Sequence, residues 1–199
     1  MLENIERRPL LGIFAGGAGR RMGGIDKGAL EVPGQRVAIM EHHVALAAEL
    51  RLDCALLGAR PLWQSRLPQC QHLDDDPCGI GPLGGLHALL QAAGDRPAIA
   101  LACDMPYVTA KLLRMLMDYP QGAAIVAPKE LHVAKWQPLF ARYEPHLVLP
   151  AIQRALGAKE HSLQALFDKL QVEELVLPND LHAKLSDWDL PEDVEHSRD

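Results

Sequence analysis

The chain has 199 residues, and its 20 lysines and arginines against 26 aspartates and glutamates give a formal net charge of −6. This length suits one domain with a full core, and a content of 48% hydrophobic and 23% charged residues is typical of a globular protein rather than a disordered chain. The acidic balance argues against a general nucleic-acid-binding protein, which usually carries a basic excess.

Short apolar runs alternate along the chain with segments of helical periodicity. The predicted elements are a strand over 10–15, a helix over 39–50, a strand over 54–57, a helix over 83–93, a strand over 98–102, a helix over 111–119 and a strand over 123–127, and the alternation continues over 138–143, 147–155, 162–170 and 172–177. Uniformly apolar strands between amphipathic helices indicate a sheet that is covered on both faces. We therefore predict an α/β fold, a three-layer αβα sandwich with a doubly wound, mainly parallel sheet, as a single domain over 1–199.

The cysteines and the first residues indicate a cellular location. Cys54, Cys70, Cys78 and Cys103 form no Cys-x-x-Cys pair, and we predict reduced thiols in a cytoplasmic protein. Residues 1–9 are charged and lack the apolar core of a signal peptide. No segment approaches the roughly 20 apolar residues of a membrane span, so we expect no membrane association.

A glycine-rich loop follows the first predicted strand. Five glycines lie between residues 16 and 27, where they allow tight turns whose N–H groups bind anions. Arg20, Arg21 and Lys27 add positive charge, so the loop suits a polyphosphate. It is not a P-loop, because glycine rather than Ser or Thr follows Lys27. It is not the dinucleotide fingerprint, because Met22 stands at the third glycine position, which argues against a redox Rossmann protein.

This loop resembles the signature Leu-Ala-Gly-Gly-x-x-x-Arg-Met-Gly-Gly-x-Asp-Lys-Gly of the molybdenum cofactor guanylyltransferase family. It reads Phe14-Ala15-Gly16-Gly17, then Arg21-Met22-Gly23-Gly24, then Asp26-Lys27-Gly28, and only the leading Leu is changed. Related cytidylyltransferases typically have Ala-Ala-Gly at 15–17, and sugar-phosphate nucleotidyltransferases have Pro-Lys at 26–27. The resemblance extends over 11–194 and implies a fold like that of nucleotide-diphospho-sugar transferases.

The resemblance also implies an activity, which is Mg²⁺-dependent transfer of GMP from GTP to molybdopterin, with or without its metal, releasing pyrophosphate. Backbone groups of Phe14, Ala15, Gly16 and Gly17 are then expected to hold the nucleotide. Lys27 is expected to neutralise charge on the phosphates, and Arg21 to assist the pyrophosphate. A molybdoenzyme or a cofactor chaperone is the implied downstream partner.

A second loop, Asp74-Asp75-Asp76, precedes the run Gly-Pro-Leu-Gly-Gly at 81–85. Three aspartates suit a solvated turn, but the two oxygens of one carboxylate also match the adjacent N1–H and N2–H₂ donors of guanine. In the resembled family an aspartate ahead of Gly-Pro-Leu reads the base. Ungapped alignment makes this Asp74, which we favour, and a one-residue difference in loop length makes it Asp75.

A third loop, Cys103-Asp104-Met105-Pro106, follows the strand predicted over 98–102. A carboxylate at the end of a strand suits Mg²⁺, which takes few protein ligands and keeps its waters. The alternative is a turn or N-cap aspartate before the next helix. In the resembled family Cys-Asp-x-Pro binds the metal, which implies that Asp104 holds Mg²⁺. Cys103 is expected to be a small buried residue rather than a nucleophile.

The C-terminal part resembles the family less closely. Asp187-Trp188-Asp189-Leu190-Pro191-Glu192-Asp193 stands where the family has Asn-x-Asn-Thr-Pro-Glu-Asp near the molybdopterin. The two extra carboxylates would repel a phosphorylated pterin unless a cation intervenes. Trp136, beside Gln137-Pro138-Leu139, is either a core or rim residue or a platform for the pterin.

Two alternatives to guanylyl transfer remain. A cytidylyl or sugar-phosphate nucleotidyltransferase would share the fold, and a non-catalytic nucleotide- or pterin-binding module would account for the altered C-terminal element. Outside these motifs, His42 and His43 are adjacent in the helix predicted over 39–50. We expect one of them to be exposed and the other packed.

Overall fold

The computed structural model describes residues 8–15, 26–58, 61–130, 133–186 and 188. Within these ranges seven strands form one sheet. The strands are β1 (Leu10–Phe14), β2 (Cys54–Leu57), β3 (Gln71–Leu73), β4 (Ala98–Ala102), β5 (Ile125–Ala127), β6 (Phe140–Tyr143) and β7 (Val172–Glu174). The helices are α1 (Ile39–Glu49), α2 (Pro61–Arg66), α3 (Pro82–Ala93), α4 (Ala110–Met117), α5 (Pro145–Gly157), α6 (Leu163–Phe167) and α7 (Asn179–His182).

The strand order across the sheet is β3-β2-β1-β4-β6-β5-β7. Strands β1, β2, β3 and β4 pair in parallel, as do β5 and β7, whereas β6 runs antiparallel to both of its neighbours. The prediction of a mainly parallel, doubly wound sheet is confirmed. The direction of β6 was not predicted, because an apolar run alone does not encode the direction of a strand.

Helices cover both faces of the sheet. Alternate residues of β1 belong to two different core clusters, with Leu11 and Ile13 in one and Leu10 and Phe14 in the other. The first cluster includes residues of α1 and α4, and the second includes residues of α3, α5 and α6. This arrangement makes the three αβα layers and explains why the central strands are apolar at every position.

The predicted bounds are accurate where a strand is fully buried. Strands β2 and β4 begin and end at the predicted residues, while β5, β6 and β7 are shorter than the apolar runs that contain them. The segment 162–170, which continues the alternation in the sequence, contains the shorter helix Leu163–Phe167. Helices α2 and α7 were not predicted, because six and four residues are too short for a clear helical periodicity.

The strand order indicates where on the sheet a ligand would bind. From β1 the chain continues to β2 and β3 on one side, while β4 pairs with β1 on the other side. The strand order thus changes direction at β1, and the carboxyl ends of β1 and β4 lie side by side, where folds of this type usually bind their ligand. No helix in the described part of the chain has the length and apolar character needed to cross a membrane.

Candidate active site

Lys27 and Asp104 meet at the carboxyl end of the sheet, as the convergence of the first and third loops requires. The Nζ atom of Lys27 lies 2.8 Å from Oδ2 of Asp104, although the two residues are 77 positions apart. Their side chains are 18% and 19% exposed, so both keep access to solvent. We call these two side chains the Lys27–Asp104 pair. It brings an ammonium group and a carboxylate together in one place.

The turn that carries Lys27 is built around Asp26. Residues Lys27–Ala29 form one 3₁₀ turn, and Oδ1 of Asp26 accepts the backbone N–H of Gly28 at 3.1 Å. The other carboxylate oxygen, Oδ2, accepts the indole N–H of Trp63 at 3.0 Å. Both oxygens of Asp26 therefore hold the turn, one through the backbone and one through helix α2.

Helix α1 holds the loop that carries Asp104. The Nε2 atoms of His42 and His43 lie 3.0 Å from the carbonyl oxygens of Val108 and Met105. His43 is fully buried, and this burial lowers its pKa to about 4, so the ring is neutral at physiological pH and donates one N–H. His42 is partly exposed, and the expectation for the two histidines is confirmed in part.

The Asp104 loop is also tied to β1 and to the C-terminal part of the chain. The N–H of Cys103 donates to the carbonyl of Phe14 at 3.1 Å, and the N–H of Trp188 donates to the carbonyl of Asp104 at 2.9 Å. Thr109, not Asp104, caps helix α4, because its hydroxyl accepts the N–H of Leu112. Asp104 is thus a turn residue that the backbone holds from two sides.

Cys103 is not available as a nucleophile. It is 7% exposed, and burial together with the nearby carboxylates of Asp104 and Asp26 raises its pKa to about 12. A thiol of this pKa carries almost no thiolate at neutral pH. The prediction of a small buried residue is confirmed.

The three aspartates of the second loop differ in their surroundings. Asp74 and Asp76 are exposed, while Asp75 is partly buried, and burial and the charge of Asp74 raise the pKa of Asp75. Asp76 donates its backbone N–H to the carbonyl of Gly84 at 3.1 Å, and its own backbone carbonyl accepts from Nδ1 of His87 at 2.8 Å. Backbone contacts to α3 thus hold the loop, and the carboxylate of Asp76, whose Oδ2 lies 3.4 Å from Nδ1 of His87, adds a side-chain contact to the same helix.

Helix α3 approaches this loop so closely that only glycine fits. A Cβ atom on Gly84 would lie 2.3 Å from the carbonyl oxygen of Pro77. On Gly85 it would lie 2.8 Å from the ring of Phe14 and 3.1 Å from Oδ1 of Asp75. The end of β1, the start of α3 and the aspartate loop therefore meet at one point.

Several predicted site residues lie outside the described residues. These are Gly16, Gly17, Arg20, Arg21, Asp187, Asp189 and Leu190. Of the nucleotide loop, Phe14 ends β1 and Ala15 donates its N–H to the carbonyl of Leu57 at 2.9 Å. Both lie at the carboxyl end of β1, beside the ends of β2 and β4.

Two of the tryptophans differ in their surroundings. Trp188 is 4% exposed, packs with Val32 and Ile39, and donates its backbone N–H to the carbonyl of Asp104, so this residue lies against the Asp104 loop. Trp136 is partly buried, its ring lies 5.9 Å from that of Phe167, and the ammonium of Lys129 lies 4.5 Å from its ring centroid. Trp136 therefore has the contacts of a rim residue, with a cation beside its ring.

The donor set at Asp104 suits a hard cation. Its carboxylate lies in the turn two residues after β4 and stays partly exposed, and Mg²⁺ commonly binds through one or two carboxylates, several waters and substrate phosphates. Among the described residues, no group of three or more His, Cys, Asp or Glu side chains is placed to hold a metal ion.

Sequence reasoning missed Trp63 and the clamping role of the two histidines. Trp63 lies in a short helix with no motif, 37 residues from Asp26, and no signal in the sequence links them. Neighbouring histidines on an apolar helix were visible, but their carbonyl partners follow from the packing of α1 against the Asp104 loop.

The chain matches a family model and named relatives over most of its length. The family model described as the MobA-like NTP transferase domain matches residues 11–174. The molybdenum cofactor guanylyltransferase of Pseudomonas syringae pv. syringae is 34% identical over 168 residues, which are 80% of this chain and 78% of that protein. That of Pseudomonas putida GB-1 is 33% identical and covers 90% of this chain and 92% of its own length.

The fold also matches a solved structure. The molybdopterin-guanine dinucleotide biosynthesis protein A of Archaeoglobus fulgidus superposes with a TM-score of 0.73 at 19% identity. The match covers 95% of this chain and 96% of that one. At this identity the likeness concerns the fold, and it agrees with the three-layer sandwich described above.

Proposed function

This chain belongs to the family of MobA-like NTP transferase domains, and we propose that it transfers GMP from GTP to molybdopterin, as a molybdenum cofactor guanylyltransferase. It is an enzyme of the nucleotidyltransferase type. The observation that carries the proposal within the molecule is the Lys27–Asp104 pair, because it brings the two most distinctive motifs of the sequence within 2.8 Å of each other.

The reaction needs positioning and charge neutralisation rather than a covalent intermediate. The terminal phosphate of molybdopterin attacks the α-phosphate of GTP, the bond between the α- and β-phosphates breaks, and pyrophosphate leaves. The attacking phosphate is already ionised near neutral pH, since its second pKa is about 6, so no strong general base is required. This agrees with a site whose prominent groups are a lysine and a carboxylate.

Lys27 and Asp104 are proposed to have different roles at the phosphates. In the structure the ammonium of Lys27 pairs with the Asp104 carboxylate. We expect Asp104 to hold Mg²⁺, which supplies positive charge at the phosphate oxygens, and Lys27 to turn from Asp104 to those oxygens. The backbone of residues 14–17 and the side chain of Arg21 are proposed to hold the rest of the triphosphate.

Asp74 is proposed to read guanine. It is exposed at the start of the loop that α3 holds through backbone contacts. None of those backbone contacts uses its carboxylate oxygens. Asp75 stays the alternative, since it lies beside Gly85 and Phe14. Either carboxylate would accept both N1–H and N2–H₂ of guanine.

A base exchange tests the reader directly. Asparagine offers one acceptor and one donor, and therefore pairs with the N1–H and the C2 carbonyl of xanthine instead of with guanine. We expect Asp74→Asn to lose turnover with GTP and to gain it with XTP, whereas the matched variants Asp75→Asn and Asp76→Asn keep their preference for GTP. A switch to XTP in Asp75→Asn alone would move the role to Asp75.

The proposed function also includes the site of the acceptor and the cellular location of the enzyme. The C-terminal element reaches the Asp104 loop through Trp188, which supports an acceptor site on that side. We place the enzyme in the cytoplasm, where GTP is available and cysteines stay reduced. The product would pass to a molybdoenzyme or to a cofactor chaperone.

Turnover with a panel of nucleotides separates this function from its alternatives. With molybdopterin and Mg²⁺, we expect pyrophosphate release with GTP and at least tenfold less with CTP or ATP. A preference for CTP would instead identify a cytidylyltransferase. Binding of GTP with no pyrophosphate release would identify a non-catalytic binding module.

A further inference from the structure

We propose that Trp63 is a positioning residue, which acts through Asp26 to hold Lys27 in place for the reaction. This inference rests on the proposed nucleotidyl transfer at the Lys27–Asp104 pair. Trp63 lies in α2, outside the three motif loops, and its indole nitrogen is 3.0 Å from Oδ2 of Asp26.

The hydrogen bond connects the core to the catalytic turn. Trp63 is fully buried, and a buried indole N–H requires an acceptor. Asp26 uses Oδ2 for this N–H and Oδ1 for the N–H of Gly28 at 3.1 Å. Lys27 lies between Asp26 and Gly28 in the chain, so the Asp26 carboxylate holds the backbone turn that carries its side chain.

Neither partner is explained by packing or capping alone. A phenylalanine would fill the core at position 63 without presenting an N–H that has to be satisfied. A serine would cap the turn at position 26, since Ser and Asp are comparable N-cap residues. The pairing of an indole with the second oxygen of a capping carboxylate is what ties α2 to the lysine turn.

Other contacts hold α2 in place independently of this hydrogen bond. The guanidinium of Arg66 lies 5.0 Å from the centre of the Trp63 ring, and it also pairs with Glu41 in α1. A phenylalanine ring keeps the contact with Arg66 and most of the buried surface. Trp63→Phe therefore removes the hydrogen bond while the anchoring of α2 to α1 is retained.

The position of the Lys27 ammonium affects the rate, because the reaction depends on positive charge close to the phosphates. A misplacement of about 1 Å lowers the rate of an enzyme by up to about 10²-fold. Loss of the single hydrogen bond from Trp63 to Oδ2 of Asp26 is a smaller disturbance than such a misplacement. We expect kcat to fall about tenfold, with the KM for molybdopterin unchanged.

A double-mutant cycle separates positioning from packing. Trp63→Phe and Asp26→Ser each remove the indole–carboxylate hydrogen bond, and the serine keeps the cap. Each single variant is expected to lower kcat about tenfold, and the double variant to lose no more than either one. Leu116→Ala, a core truncation in α4, is the control, since it destabilises the fold but is expected to leave kcat unchanged.

A second readout does not depend on turnover. An ammonium held against Asp104 is less available to an acylating reagent, so acetylation of Lys27, measured by peptide mass spectrometry without substrates, is expected to rise at least threefold in Trp63→Phe and Asp26→Ser. Lys111 serves as the internal reference. If the wild-type protein transfers no GMP, the proposed function fails, and the acetylation rates still decide whether Trp63 holds Lys27.

The proposal is overturned by any of three results. Unchanged kcat in Trp63→Phe excludes a positioning role. Multiplied losses in the double variant show that Trp63 acts by packing rather than through Asp26. Unchanged acetylation of Lys27 shows that the hydrogen bond does not hold the lysine.

Discussion

Replacing Gly84 with alanine tests whether the close contact of α3 with the aspartate loop sets nucleotide affinity. The added Cβ would lie 2.3 Å from the carbonyl oxygen of Pro77. Carbon–oxygen contacts in proteins are about 3.3 to 3.6 Å, so the two groups must separate by about 1 Å. The obstacle is backbone rather than a flexible side chain, and therefore the loop that carries Asp74 and Asp75 has to move away from α3.

The cost in stability is the difference of two effects. Alanine in place of glycine favours a helix interior by about 1 kcal/mol, and overpacking costs about 1 to 3 kcal/mol. We therefore expect Gly84→Ala to lower the free energy of unfolding by about 0 to 2 kcal/mol. A displacement of about 1 Å at the base-reading carboxylate is expected to weaken transition-state binding by up to about 10²-fold, seen mainly in the KM for GTP.

Gly157 supplies the matched control. It is the last residue of α5, and apart from its chain neighbours and the backbone of its own helix the described residues place no atom within 4 Å of its Cβ position. Gly157→Ala is expected to leave the KM for GTP unchanged and to stabilise the fold by up to about 1 kcal/mol. Steady-state kinetics and urea unfolding on both variants decide the matter. A KM for GTP in Gly84→Ala equal to that of the wild type would show that this contact does not position the reader.

Three further predictions concern charge and ionisation. Lys27→Ala is expected to lower kcat about 10²- to 10³-fold in a pyrophosphate-release assay, with a change in stability of about 1 kcal/mol or less because the ion pair is partly exposed; a kcat near the wild-type value would remove Lys27 from the mechanism. Because burial lowers the pKa of His43 to about 4 from 6.5, the unfolded chain binds the proton first as the pH falls, and the free energy of unfolding is expected to drop by about 3 kcal/mol between pH 6.5 and 4. Urea unfolding of His43→Gln should show a weaker dependence over this window, and an equal dependence in both proteins would contradict the assignment. In the native state, Cys78 is exposed and should react with a thiol reagent, whereas Cys103, whose pKa burial raises to about 12, should react only on unfolding; equal rates would contradict the placement of the two thiols.

The central strands could be predicted from sequence because both faces of the sheet are buried. Strands β2 and β4 appear in the sequence as uninterrupted apolar runs, and their bounds agree with the structure. The direction of β6 and the short helix α2 could not be predicted, since neither depends on local periodicity. They depend on which surfaces remain to be covered once the parallel core is formed.

For the candidate site, sequence motifs predicted the chemical groups but not the side chains that hold them. The meeting of Lys27 with Asp104 follows from two loops at the carboxyl ends of neighbouring parallel strands. The indole that holds Asp26 and the imidazole that holds the carbonyl of Met105 come from helices α2 and α1. Such contacts between distant segments arise from packing, and no residue spacing in the sequence predicts them.

The central claim is nucleotidyl transfer by attack on the α-phosphate of GTP. The most direct measurement supplies molybdopterin and Mg²⁺ with GTP labelled in separate reactions at the α- or the γ-phosphate, and follows where each label goes. We predict that the α label enters a guanine dinucleotide of the pterin and the γ label leaves as pyrophosphate. Recovery of the γ label as inorganic phosphate, or of the α label only in unreacted GTP or free GMP, would contradict the account.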